Sequence, residues 1–252
     1  MSHFTVAVLT RHEQSIEDLL APFDENIKVE PYIYRTKEDI IREAKKKKED
    51  FLQKMKSDDF ELRSYHKEYL NCETDEDFYA VESQYFEEDE MDEDGNELST
   101  YNPKSKWDWW TIGGRWSNLL KTKDGYYTDS CLISELDLTA DEESYKQAVR
   151  FWELYIEHQP LREGENPARS LYKEEYFTKR YRTKENYAKQ QAALATYAVL
   201  MPNGEWLEPG KMGWFGFSNA NDDAQNEWVD NYKKLLDEAA PNWMITIVDC
   251  HI

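Results

Sequence analysis

The sequence predicts an α+β fold: a central, mostly antiparallel sheet that includes both terminal strands, with helical insertions. Three observations lead there. The two ends, His3–Leu9 and Trp243–Ile252, are short, rich in apolar and β-branched residues, and read as buried strands. The stretches 36–72, 141–192 and 222–239 read as helical, the last with Trp228, Tyr232, Leu235 and Leu236 on one side. No segment repeats, and strands at both termini with helices between them favour a sheet in which the terminal strands are neighbours. The expected organisation is one domain over 1–252, with 36–72 and 141–192 inserted into it.

Taken in order, His3–Leu9 is followed by a short helix at Ser15–Ala21. Ser15 suits the N-cap, Glu17 and Asp18 the first turn, and Pro22 the end. Within 36–72 the run Lys45–Lys48, followed by Glu49 and Asp50, reads as a solvated helix face. Phe78–Phe86 and Glu97–Tyr101 read as strands on either side of an acidic turn closed by Asp94-Gly95-Asn96, because Asp-Gly suits a type I′ hairpin. An EF-hand loop beginning at Glu90 competes for the same residues, but Tyr101 stands where its twelfth-position glutamate belongs. In 141–192, Tyr145, Val149, Trp152 and Ile156 fall three and four apart. Thr196–Met201 and Glu205–Leu207 then form a hairpin around Asn203-Gly204. Gly213, Trp214, Phe215, Gly216 and Phe217 suggest a compact loop before the 222–239 helix.

A mean hydropathy of −0.91 leans toward disorder. However, 9 Trp, 17 Tyr and 10 Phe supply the burial that disordered chains lack. No apolar run approaches the roughly 18 residues of a membrane-spanning helix, and MSHFTVAV does not read as a secretory signal. Cys72, Cys131 and Cys250 are odd in number and include no CxxC pair, so neither a disulfide framework nor a zinc knuckle is expected. The expected setting is a reducing cytoplasm, with no membrane partner. A homo-oligomer is compatible with the sequence, which does not specify the oligomeric state.

Charge distribution is more informative than the net −21. Residues 73–100 hold thirteen acidic and no basic side chains. Residues 101–123 hold Lys104, Lys106, Arg115, Lys121 and Lys123 against Asp108, a local +4. The overall charge disfavours a nucleic acid duplex as partner, while the local cluster suits one small anion.

That cluster contains Tyr101-Asn-Pro-Lys-Ser-Lys-Trp-Asp-Trp-Trp-Thr-Ile-Gly-Gly-Arg-Trp116, with four Trp in ten residues. Arg forks onto phosphate, Lys adds a point charge and Trp faces stack on nucleobases. Gly113-Gly114 lets the backbone approach another group closely. The expected ligand-binding set is therefore Lys104, Lys106, Trp107, Asp108, Trp110, Gly113, Gly114 and Arg115. A Trp-rich core clamped by an Asp108–Arg115 ion pair is the structural alternative, and Trp109 and Trp116 lean toward that core role. No GxxxxGK[ST], dinucleotide fingerprint, HExxH or GxSxG motif is present, and no metal or cofactor is expected.

If the terminal strands pair, His3 and His251 meet at one sheet edge beside Asp249, an arrangement suited to acid–base chemistry. The triplet His3-Phe4-Thr5 is similar to the H-x-T triplets of two-histidine phosphoesterases, although a second triplet is missing. His12, His66 and His158 sit in polar contexts and carry no such signal.

Residues 99–116 (STYNPKSKWDWWTIGGRW), 201–217 (with MGWFGF) and 245–252 (ending VDCHI), with SHF at the start, resemble an uncharacterised family of phage, prophage and bacterial proteins. The resemblance covers a minority of the chain. It implies a viral or mobile-element setting, where small acidic proteins often counter host defence, and the host cytoplasm as location. Three functions follow as expectations. One is sequestration of a small nucleotide-derived immune signal, such as a cyclic nucleotide or ADP-ribose derivative. Another is a phosphodiesterase using His3 and His251. The third is a protein-interaction inhibitor or DNA mimic using the acidic run.

Overall fold

The computed structural model describes residues 2–56, 63–210 and 221–252. In chain order its elements are β1 (His3–Thr10), α1 (Ile16–Leu20), β2 (Tyr32–Arg35), α2 (Lys37–Lys54), α3 (Ser64–Asn71), α4 (Asp75–Ser83) and β3 (Glu97–Ser99). Next come β4 (Trp109–Ile112), β5 (Leu120–Lys121), β6 (Tyr127–Thr128), β7 (Ser130–Leu132), α5 (Glu142–Tyr155), α6 (Glu174–Tyr181) and α7 (Lys184–Ala192). The chain closes with β8 (Ala198–Leu200), β9 (Trp206–Leu207), α8 (Asp222–Glu238) and β10 (Met244–His251). These elements form two compact units, residues 1–25 with 104–252, and residues 26–103. The helical stretch 36–72 therefore belongs to a larger unit with its own core.

In the first unit, β1 and β10 pair antiparallel along their whole lengths, from His3 opposite His251 to Thr10 opposite Met244. The sheet is mixed, in the order β4-β10-β1-β8-β9, and β7 pairs with the other half of β10. Only β1 and β8 run parallel; the sheet is mostly antiparallel and contains both terminal strands, as the sequence predicts.

Side chains alternate across each strand, so β1 and β10 divide their residues between two cores. Phe4, Val6, Val8, Val248 and Cys250 join Leu19, Leu20, Phe23 and Trp107 on one face. Ala7, Leu9, Ile245 and Ile247 face Tyr232 and Leu236 of α8 on the other. The three cysteines are free and buried. Burial pushes the Cys131 thiol up to about 11 and raises that of Cys250 as well, so both stay protonated near neutrality.

Several local expectations hold at the level of single caps and turns. The Ser15 side chain accepts from Asp18 N and starts α1. Gly204 takes φ +82 in the turn between β8 and β9. One expectation is corrected: Phe78–Phe86 is not a strand, because Asp75–Ser83 is helical. Thr74 and Asp77 close a capping box that satisfies the first backbone donors. The helix then buries Phe78, Val81 and Glu82, so a spacing of three and four prevails over a short apolar alternation. The turn that follows does form, with Met91 bridging Glu97 and Gly95 at φ +82.

In the second unit, Ala44, Tyr69, Cys72, Phe78 and Val81 make the core, and β2 pairs with β3. Buried Glu82 accepts from Lys47 Nζ at 2.5 Å and from Tyr69 OH at 3.0 Å. The loop expected at Gly213–Phe217 lies outside the described residues. No helix among the described residues is long and apolar enough to cross a membrane.

Candidate functional site

The odd-numbered face of β1 and β10 changes character at one end. Inward it carries Ala7, Leu9, Ile245 and Ile247; outward it carries His3, Thr5, Asp249 and His251. Register places His3 opposite His251 and Thr5 opposite Asp249. On the neighbouring strand, β4 sets Trp109 beside His251 and Thr111 beside Asp249. Two polar rows therefore lie at the sheet edge, an imidazole row and a carboxylate row, separated by about 7 Å along the strands.

Each imidazole is held by its own carboxylate. His3 Nδ1 lies 2.8 Å from Asp249 Oδ1, and His251 Nδ1 lies 2.5 Å from Asp108 Oδ1. A carboxylate accepts, so each Nδ1 carries the proton and each Nε2 is the nitrogen left for chemistry. The two rings stand edge-to-face, with centroids 5.0 Å apart. His251 Nε2 is buried and has no hydrogen-bond partner among the described residues. Such an orphan costs about 1–3 kcal/mol, which a bound ligand or proton donor would recover. Asp108 is fixed twice to the same residue, because its backbone N–H also donates to His251 O at 3.0 Å.

Asp249 is 2% exposed. Its second oxygen, Oδ2, accepts from Arg115 N at 2.9 Å. The loop after β4 can reach it only because of its glycines. Gly114 takes φ +53, and a Cβ there would overlap the Asp249 carboxylate. Gly113 takes φ +68 and sits against Asp129 in the same way, while Asp129 also accepts from Asn118 N. The Gly-Gly step thus brings the backbone close to protein carboxylates. Gly114→Ala is expected to lower the melting temperature by about 2–12 °C, from about 1–3 kcal/mol of strain at about 2–4 °C per kcal/mol. Gly125→Ala is the control in thermal melts. It has a similar φ of +84 but open space around it, and its effect should be smaller.

The remaining sequence candidates separate in space. Lys106 Nζ is paired with Glu208 Oε1 at 2.6 Å, and Trp206 Nε1 donates to the other oxygen of that carboxylate at 2.9 Å. Trp107 is buried in the core around Phe4 and Phe23, and Trp110 packs against the same core. Trp116 packs against the opposite core. Lys104 and Arg115 are exposed. The Arg115 side chain takes no partner among the described residues, and the alternative Asp108–Arg115 ion pair does not form, since Asp108 holds His251. Trp109 departs from its expected core role: it is 52% exposed and its ring lies edge-on to His3, centroids 6.2 Å apart. Its position next to the Asp108 carboxylate signals nothing in the sequence; only the pairing of β4 with β10 does.

Much of the acidic run is committed to local structure. Asp77 and Asp92 cap backbone donors, Glu97 pairs with Arg35, and Asp75 pairs with Lys45. Among the described residues, no group of three or more His, Cys, Asp or Glu side chains is placed to hold a metal ion. The edge site offers two imidazoles, each oriented through Nδ1 by an aspartate, and the exposed residue Arg115 is tied to it through its backbone N–H on Asp249, an arrangement able to move protons. No protein-family model, curated protein or solved structure matches the chain.

Proposed function

We propose that this protein binds a small nucleotide-derived phosphoester, of the cyclic nucleotide or ADP-ribose class, and cleaves it with His3 and His251. The observation that carries the proposal is the pair of imidazoles, each anchored through Nδ1 by a separate aspartate and facing each other at 5.0 Å. A protein that only sequesters its ligand has no need of two oriented proton carriers.

In the reaction, one neutral imidazole takes a proton from water at Nε2 as the water oxygen bonds to phosphorus. The other, protonated at Nε2, gives its proton to the departing oxygen as the P–O bond breaks. One water is consumed: a cyclic phosphodiester becomes a phosphomonoester and an alcohol, the pyrophosphate of an ADP-ribose derivative becomes two phosphomonoesters, and the two imidazoles exchange protons with solvent to reset. Asp108 and Asp249 fix the tautomer and the orientation of each ring through Nδ1. Arg115 offers charge-assisted hydrogen bonds to the non-bridging phosphoryl oxygens. The resemblance to phage and prophage proteins suits an immune-signal ligand.

The test is incubation with a panel of cyclic nucleotides, cyclic dinucleotides and ADP-ribose derivatives, followed by mass spectrometry of what is released. Cleavage products support the proposal; intact ligand returned after denaturation leaves sequestration as the function. Arg115→Lys keeps the charge but loses the fork, so affinity for the cleaved ligand should fall about tenfold to a hundredfold, from about 1.5–3 kcal/mol. The melting temperature should not move, because Arg115 touches Asp249 only through its backbone.

A further inference from the structure

The geometry points to Trp109 as the aromatic subsite of this edge, the surface on which the ligand's planar base stacks. The inference rests on the reading of the ligand as nucleotide-derived. Of the four Trp in the 107–116 stretch, Trp107 is buried in one core and Trp110 and Trp116 pack against cores, each with its ring committed to protein neighbours. Trp109 stands at the outer row of the polar face, opposite His251 in the register, and leaves 52% of its surface to solvent. Its contact with His3 is edge-to-face, at an interplanar angle of 78°, which does not cover the indole as a stacked ring would.

Position adds a second reason. From Trp109 the chain runs along β4, turns through Gly113-Gly114 and returns over Asp249, where Arg115 N is bonded. Arg115 is therefore anchored one row inward, about 7 Å along the strand direction from Trp109, with its side chain exposed. The His3 and His251 rings occupy the same row as Trp109. A ligand with a flat base at one end and phosphate at the other spans this arrangement, its base on Trp109, its phosphate toward Arg115 and its reacting bond by the imidazoles. A sugar phosphate without a base would use only half of it.

The test compares AMP with ribose 5-phosphate by titration calorimetry on the full chain. Base–aromatic stacking of about 1–3 kcal/mol corresponds to about 5- to 150-fold, and wild-type protein should prefer AMP by a factor in that range. Trp109→Ala should bring the two affinities together, and Trp109→Phe should keep part of the preference. Circular dichroism and thermal melts check that both variants fold; should Trp109→Ala fail to fold, the Trp109→Phe affinities decide. A wild-type protein that binds both probes equally, or neither, overturns the inference, as does Trp109→Ala with an undiminished preference. The outcome is separable from the fate of the hydrolysis proposal. A preference for AMP that depends on Trp109, in a protein that cleaves nothing, would uphold the subsite and remove the reaction.

Discussion

His3→Ala is expected to lower kcat/KM for the cleaved ligand by about 10²–10⁴, the usual range for losing a positioned general acid or base. The structural cost should be small by comparison. His3 lies at the end of β1, its ring is 15% exposed, and among the described residues it hydrogen-bonds to Asp249. Affinity for a non-cleavable phosphorothioate analogue should therefore stay within a few-fold of wild type while turnover collapses. Steady-state kinetics and calorimetry on the same preparation check this split. A His3→Ala protein that turns over normally would show that the imidazole is only part of the sheet edge.

Asp249 carries the second large expected effect, because it serves the fold and the site together. Its Oδ1 accepts from His3 and its Oδ2 from Arg115 N, in a position 2% exposed. Asp249→Ala orphans both donors. At about 1.5–3 kcal/mol for losing hydrogen bonds to a charged group and about 2–4 °C per kcal/mol, the melting temperature should fall by about 3–12 °C. Turnover should fall further than stability alone explains, since the loop bearing Arg115 and the ring of His3 lose their common anchor. Asp249→Asn separates the two roles. It keeps shape and one acceptor, but an amide that donates to Nδ1 forces the other tautomer, and the wrong tautomer costs up to about 10⁴ in turnover. Near-wild-type melting with a deep loss of rate is the expected signature.

The parts of this site that were legible in the sequence are those set by strand periodicity. His3 and His251 fall on terminal strands of matching length, and alternation sends His3, Thr5, Asp249 and His251 to one face once those strands pair. Asp249, two residues before His251, belongs to the same pattern. The partners of Lys106 and Asp108 were not legible. Glu208 is 102 residues from Lys106, and His251 is 143 residues from Asp108; only tertiary folding brings such pairs together. The glycines show a similar limit. Gly113-Gly114 correctly signals a close approach, but no local rule says whether the approached group is a ligand or a buried carboxylate. At Asp75–Ser83 a capping box and a helical spacing override an apolar stretch that reads as a strand. The aromatic cluster was least legible of all, because Trp107 enters a core just before β4 begins, while Trp109, two residues on, stands beside His251 on the polar edge of the sheet.

The most direct measurement of the central claim is the pH dependence of kcat/KM for the cleaved ligand, in wild type and in the two single histidine variants. Two imidazoles working as base and acid predict a bell-shaped profile in the wild-type protein, one limb from each proton carrier. His3→Ala and His251→Ala should each lose one limb, and the two should lose opposite limbs. A flat profile, or variants that retain both limbs, would contradict the account.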